Sequence, residues 1–521
     1  MANWLSIPAG FPESLPAFLL LLLVSIPFLL RRGSRRQNLP PGPPTLPLIG
    51  NLHQLAGPTL PHRSITNLAQ KYGPIMRLQL GQCLAVVISS PDAAKEVLRT
   101  KELSFPQRPE VLAVEIMSYD HSSLVFAPYG DYWRQLRKIC VSELLSAKRV
   151  ASFRSIREQE VWDLVVSISN DAVSNTTQND AVAINLSERI FLATNNVTSR
   201  SAFGMRCRDG GEFLSLLHQV IQVGGGFNLP DLFPSFRFLR HVTGIQAALE
   251  RIHVGIDRIL EDIVKQHLGP GRVVDGSGPG GREEDLLDVL IKLQDSDETE
   301  LKLTTNHLKA VTMDIFSAGS ETSATTMEWA MAELMKNPRV MEKAQVELRR
   351  AFNGKTRIEE SDLHNHDLSY LRSVVKETLR MHPPGPLLPR ESVEACEVGG
   401  YHIPTKAKIL INAYAIGRDP ETWVDPDCFR PERFEGSVVD FRGTNFELIP
   451  FGGGRRICPG ISFATANIDL ALAQMLYHFD WKFPEGMTHE EMDMSEIFGI
   501  TARKKHNLHL VPVLRIPFSN C

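Results

Sequence analysis

What the chain lacks narrows it first. It has no excess of either charge: 56 basic and 60 acidic side chains leave a formal net charge of -4, too little polyelectrolyte character for a nucleic-acid partner. Cysteine is sparse. The seven residues (Cys83, Cys140, Cys207, Cys396, Cys428, Cys458 and Cys521) are odd in number, scattered and without C-x-x-C spacing, which argues against a disulfide framework or a zinc site and suits a reducing compartment. No H-E-x-x-H pair and no internal repeat is present, so zinc-protease and solenoid readings fall away. The one low-complexity patch, Gly269 to Arg282, lies between two helical patterns and reads as a surface loop. Gly276, Gly278 and Gly281 satisfy G-x-G-x-x-G inside it, but a dinucleotide fingerprint follows a strand, and this one follows a helix. A nicotinamide, if used, is bound by another protein.

Long apolar runs are also scarce, with one exception. Leu15 to Leu30 is almost wholly apolar, with Arg31, Arg32, Arg35 and Arg36 after it and no Lys or Arg before it. That flank asymmetry is the pattern of a retained signal anchor with a cytosolic body, the alternative being a cleaved signal. Leu39-Pro40-Pro41-Gly42-Pro43-Pro44 follows and reads as a stiff spacer. The expected organisation is therefore an anchor over 1–32, a basic and proline-rich hinge over 33–50, and one large body over 51–521. In the body Ala85 to Ile88 and Ile409 to Ile411 read as strands. Amphipathic stretches from Ile245 to Leu268, His307 to Lys336 and Ile461 to Tyr477 read as long helices.

The strongest local signal is Phe451-Gly452-Gly453-Gly454-Arg455-Arg456-Ile457-Cys458-Pro459-Gly460. A glycine-rich loop lets backbone approach a flat ligand, delivers one sulfur, and then opens a helix with Pro459 in its first turn. At a helix start, backbone N–H groups and the positive dipole end stabilise a thiolate. A second segment, Ala318-Gly319-Ser320-Glu321-Thr322, puts small residues, an acid and a hydroxyl on a long helix. Thr322 can bond back to the carbonyl of Ala318 and bend that helix; read alone, the segment is better taken as a core helix packed through small residues. Glu377 and Arg380 stand three apart on one helix face, where they can pair.

The cysteine loop resembles the haem-binding signature of the cytochrome P450 family, F-x-x-G-x-R-x-C-x-G, at Phe451, Gly454, Arg456, Cys458 and Gly460. The resemblance implies a mainly α fold with small β-sheets and heme b, with Cys458 as the iron's axial thiolate. It makes Thr322 and Glu321 the residues that relay protons to bound dioxygen, and Trp133, Arg137, Arg390 and Arg456 the propionate ligands. Glu377, Arg380 and Arg433, the last from Phe429-Arg430-Pro431-Glu432-Arg433-Phe434, become a structural cluster that fixes the cysteine loop. Ser323 follows Thr322 where many members carry a second threonine, a mild departure.

Function and place follow from the resemblance. It implies a monooxygenase inserting one atom of O2 into an apolar specialised metabolite, in the plant microsomal branch. Electrons would come from NADPH through cytochrome P450 reductase, with cytochrome b5 as an optional second donor, at the endoplasmic reticulum membrane. The pocket is expected to draw on the loop from Val111 to Met117, on Ile315, Phe316 and Ala318, on Leu387 and Leu388, and on the late turn Phe498-Gly499-Ile500-Thr501. The polar groups there are Glu115, Asp314 and Glu321, and an apolar wall selects an apolar guest. A terpenoid is the expected substrate, with the macrocyclic diterpene casbene as the specific expectation. Alkaloid, phenylpropanoid and fatty-acid oxidation remain open, as do a haem-thiolate isomerase or dehydratase that needs no reductase and a membrane protein without activity.

Overall fold

Helices form where apolar residues recur at three- and four-residue spacing. The computed structural model describes residues 38–178, 182–206, 210–225, 227–269, 284–296 and 300–517. The helices that position the site are α1 (Pro61–Tyr72), α2 (Asp131–Ile139), α3 (Arg154–Gln178), α4 (Leu186–Phe203), α5 (Ile245–Leu268), α6 (Thr305–Lys336), α7 (Ser369–Met381) and α8 (Ile461–His478). The bounds of α5 are those its periodicity predicts. Helix α6 begins two residues before the expected His307, because Thr304 and His307 form a reciprocal capping box. It ends at Lys336, ahead of Pro338. One detail of α8 is corrected: its N-cap is Gly460, so Pro459 precedes the helix instead of occupying its first turn.

Strands β1 (Ile75–Leu80), β2 (Cys83–Ile88), β3 (Leu387–Glu391) and β4 (Lys408–Asn412) form a sheet in the order β1-β2-β4-β3, antiparallel except for the parallel β2-β4 pair. A small hairpin pairs β5 (Glu496–Phe498) with β6 (Ala502–Lys504). The architecture is thus mainly helical with small sheets, as expected.

Helix α6 is the centre of the body, and Trp329, Ala330, Met331, Ala332 and Leu334 along it have no exposed surface. It is buried on nearly every face, and the polar side chains it carries there, such as Glu321, Glu328 and Glu333, are buried with it. Its N-terminal half shares a core with α4 and α5, its C-terminal half with α7 and α8. Helix α4 runs antiparallel to it: the Ser187 hydroxyl meets the Glu328 carboxylate at one end, and Gly319 faces Thr198 at the other. A Cβ on Gly319 would stand 3.0 Å from the Thr198 methyl and 3.6 Å from the Phe463 ring, so the missing side chain lets three helices meet beside the site.

The proline run is laid against β1 instead of standing free. Arg77 N–H donates to the Pro41 carbonyl at 2.8 Å, and the Asn51 amide reaches the Pro44 carbonyl at 3.1 Å. Among the described residues no helix is long and apolar enough to cross a membrane. The run from Leu15 to Leu30, and the glycine patch beyond Gly269 with its G-x-G-x-x-G match, lie outside the described residues.

Candidate active site

A cavity opens between the middle of α6 and the loop that leads into α8. Cys458 lies in its wall opposite Ala318, Gly319 and Thr322. The loop is held open by backbone conformation. Gly454 has φ of +66°, and a Cβ there would stand 1.9 Å from the Leu98 carbonyl, so only glycine fits both the left-handed geometry and the close approach. Cys458 N–H donates to the Phe451 carbonyl at 3.0 Å, closing the loop, and Gly460 N–H points at the Cys458 sulfur at 3.4 Å. Loss of solvation raises the thiol's pKa, while the Gly460 N–H and the charge of Arg137 pull it down.

Four guanidinium groups converge on the same cavity: Arg108, Arg137, Arg390 and Arg456. Their hydrogen bonds go to backbone carbonyls, Arg137 to Ile457 at 2.7 Å and Arg456 to Pro106 and Ala127, each at 2.7 Å. Among the described residues none of the four has a carboxylate partner within salt-bridge distance. Burial lowers Arg108 to about 10; burial reinforced by the charges of neighbouring arginines lowers Arg456 to about 9 and holds Arg390 well below its ordinary value. Buried cations without counter-charge are costly. An apolar cavity with one sulfur and four uncompensated cations fits a haem, whose two propionates are the missing anions.

Arg108 was not anticipated. It is the only Lys or Arg between Lys101 and Arg134, set between Pro106 and Pro109, and that isolation in an apolar stretch is the signal that could have found it. Trp133 is placed at the cavity as expected, but its indole N–H is given to the Leu124 carbonyl at 3.0 Å. Its ring instead carries the guanidinium of Arg456 at 4.5 Å and that of Arg137 at 5.5 Å.

On α6, the Thr322 hydroxyl donates to the Ala318 carbonyl at 2.7 Å, the back-bond its spacing predicts. That leaves the hydroxyl oxygen's lone pairs free to accept from a group in the cavity. Glu321 is buried and sits behind the wall; the Thr501 hydroxyl donates to its carboxylate at 3.1 Å, and Thr501 itself lines the cavity. Asp314 also lines it, accepting from the Ser123 hydroxyl at 2.8 Å and from Leu124 N–H at 2.6 Å. This ties α6 to the loop whose Val125 and Ala127 carbonyls hold Arg456.

Of the expected pocket residues, Ile315, Ala318, Leu388, Ile500 and Thr501 line the cavity. Phe316 does not: it stacks on Phe213 at 4.8 Å, facing away. Nor do Leu387, Phe498 and the stretch from Val111 to Met117, expected as a loop but helical over Leu112–Met117; Leu112 packs against Leu249, and Glu115 pairs with Arg240 at the surface. A face is set by the helix's rotation, and a window of apolar residues does not reveal it.

Asp314 carries a test. Burial pushes its carboxyl up to about 6 despite those hydrogen bonds. The folded state therefore holds this proton more tightly than the unfolded chain, and the stability so gained is lost as pH rises from about 4 to about 6. The wild type's advantage over Asp314→Asn is expected to shrink by on the order of 3 kcal/mol across that range, read as the difference between their urea midpoints.

Outside the cavity, Glu377 is buried with both oxygens engaged: Arg380 donates at 2.7 and 2.8 Å, Arg433 at 3.0 Å and Arg430 N–H at 2.7 Å. Both Arg380 and Arg433 also donate to the Cys428 carbonyl. The cluster clamps the segment before the cysteine loop onto α7.

The fold and this site define a haem-thiolate oxygenase. A cytochrome P450 family model matches residues 40–511, and the chain belongs to that family: it is a cytochrome P450 monooxygenase, using O2, a small-molecule substrate and a redox partner. It is 60% identical to a melianol synthase of Melia azedarach over 488 residues, 94% of this chain and 95% of that one. A desmethyl-deoxy-podophyllotoxin synthase of Sinopodophyllum hexandrum is 49% identical over 504 residues, 96% of this chain and 97% of the relative. A zebra fish cytochrome P450 solved with progesterone shares the fold, with a TM-score of 0.70 over 88% of this chain and 100% of the other at 23% identity. The melianol and podophyllotoxin-type synthases are plant enzymes, the branch that the resemblance implied.

Proposed function

We propose that this chain oxidises a terpenoid, a triterpenoid in preference to the macrocyclic diterpene casbene, with Cys458 as the haem's thiolate ligand. The observation that carries the site assignment is a lone sulfur that shares one cavity with Thr322 and with four arginines without carboxylate partners among the described residues. The substrate class is supported by identity near 60% to melianol synthases over nearly the whole chain. The relative named for podophyllotoxin chemistry favours a phenylpropanoid as the second reading. Alkaloids, fatty acids and casbene serve as comparison substrates.

A bound haem supplies the reductive activation of O2, and thiolate ligation, for which this family is the type example, pushes electron density toward O–O cleavage. The chain's own residues do the rest. Arg108, Arg137, Arg390 and Arg456 hold the propionates, and Gly460 N–H shares the sulfur's charge. Thr322 Oγ1, fixed by Ala318, passes protons at the cavity wall, with Glu321 behind it as their source. Ile315, Leu388 and Ile500 exclude water from the substrate side. Cytochrome P450 reductase is the proposed electron donor, drawing on NADPH, with cytochrome b5 optional. Residues 1–32 are proposed as a single-pass anchor in the endoplasmic reticulum membrane, 33–50 as the hinge and 51–521 as the catalytic body.

Membranes carrying the chain with a reductase and NADPH are expected to oxidise a triterpenoid olefin and to leave casbene, a phenolic, an indole alkaloid and an unsaturated fatty acid less changed. Turnover of one of those alone would overturn the substrate proposal. Thr322→Ala is expected to keep haem and lose coupling, since ligation is untouched while the hydroxyl is gone. Product per NADPH falls, since a lost proton-transfer group costs about a hundredfold or more in rate, and the electrons go to peroxide and water. Wild-type coupling in that variant would remove Thr322 from the mechanism.

A further inference from the structure

The hairpin carrying the cavity residues Ile500 and Thr501 is tied to the body through one buried carboxylate. Glu496, on β5, receives His62 Nε2 and Arg63 Nε from α1, each at 3.0 Å. His382, just past α7, approaches it with Nδ1 at 3.8 Å and bonds Glu333 of α6 through Nε2 at 2.7 Å. His62, His382, Glu333 and Glu496 are all at least nine-tenths buried. Surrounded by donors, the Glu496 carboxyl titrates well below the usual range although burial opposes this. Aromatic rings extend the clamp. Trp329 stacks on His382 at 4.0 Å, nearly parallel, and donates its indole N–H to the Ala502 carbonyl at 3.2 Å; Phe498 stacks on His62 at 5.6 Å. Ala502 N–H in turn donates to the Pro384 carbonyl at 2.9 Å. Between Phe498 and Ala502 only the three-residue turn 499–501 remains, and it presents Ile500 to the cavity and the Thr501 hydroxyl to Glu321.

We propose that Glu496 is a positioning residue for specificity and coupling: with His62, Arg63 and His382 it sets the height of the 499–501 turn over the cavity. One displacement of that turn then moves two things together, the apolar contact made by Ile500 and the hydroxyl that holds Glu321. No residue of this cluster touches the cavity, so its influence passes through the hairpin. The proposal rests on reading the cavity as the substrate site and deepens it.

Glu496→Gln keeps the shape and removes the charge. It is expected to speed backbone hydrogen exchange over 497–503 by about tenfold, to change the ratio of oxidation regioisomers at saturating substrate by about threefold or more, and to raise peroxide release per NADPH. Thr501→Val, which removes only the hydroxyl, is expected to raise peroxide without speeding exchange. A product ratio and a peroxide yield both at wild-type values in Glu496→Gln, whatever its stability, would overturn the proposal, because unfolded enzyme lowers total product and leaves its ratio alone. If Glu496→Gln does not accumulate, the half-exposed Arg63→Gln decides by the same ratio, and an unchanged ratio overturns the proposal. Failure of the wild type to oxidise a triterpenoid would instead refute the substrate proposal; the exchange measurement needs no substrate, and the ratio is then read with whichever comparison substrate is turned over.

Discussion

Cys458→Ala is expected to abolish the thiolate-shifted Soret band expected of the reduced wild type with carbon monoxide, and with it all NADPH-dependent product. The loop leaves no substitute. The other described cysteine closest in kind, Cys140, is fully buried in a separate apolar cluster, and burial holds its thiol well above the ordinary range. Gly460 N–H and Arg137 would face an empty wall, while four arginines would still bind propionates. The variant is therefore expected to retain some haem with the spectrum of a nitrogen- or water-ligated iron. A wild-type carbonyl spectrum from purified Cys458→Ala would refute the ligand assignment outright.

Glu377→Ala is expected to be nearly as severe for a different reason. It leaves Arg380, which has no exposed side-chain surface, and Arg433, nearly as buried, without their carboxylate partner. Breaking a buried pair from one side costs about 3–5 kcal/mol, a large share of the roughly 5–15 kcal/mol that hold a folded domain together. The Arg430 N–H loses its acceptor as well. Little haem-loaded protein should accumulate, as measured by haem content per chain and by soluble yield. Glu377→Gln, which still accepts hydrogen bonds but carries no charge, is expected to fall between. Full haem content and an unshifted unfolding midpoint in Glu377→Ala would show that the cluster does not fix the cysteine loop.

How much of this was legible in the chain depends on how far apart the partners lie. The cysteine loop is contiguous, and its glycines, arginine and sulfur can be read as one object. The same holds for Thr322 and Ala318, four apart on one helix, and for Glu377 and Arg380, three apart. Helices α5, α6 and α8 were visible because periodicity is a local property. Contacts made across the fold were not. Arg108 bonds the Pro389 carbonyl across 281 residues, Glu321 meets Thr501 across 180, and His62 meets Glu496 across 434. No spacing rule reaches that far. The misplaced pocket residues have the same origin: Phe316 and Ile315 are adjacent and both apolar, and only packing against Phe213 decides that one faces the core and the other the cavity. The offset at Pro459 is smaller in kind, a cap shifted by two residues.

The reach of Arg137 has a consequence for how the protein is made. Its guanidinium rests on the Ile457 carbonyl, 320 residues downstream. Two of the four cradle arginines, Arg108 and Arg137, thus leave the ribosome long before the sulfur, while Arg390 and Arg456 follow late. At about 5–20 residues per second, the nascent chain carries Arg108, Trp133 and Arg137 for roughly a quarter of a minute to a full minute before Cys458 is synthesised. Haem capture is then a late step of biogenesis, because a chain stopped between them lacks the sulfur and the Ile457 carbonyl that holds Arg137.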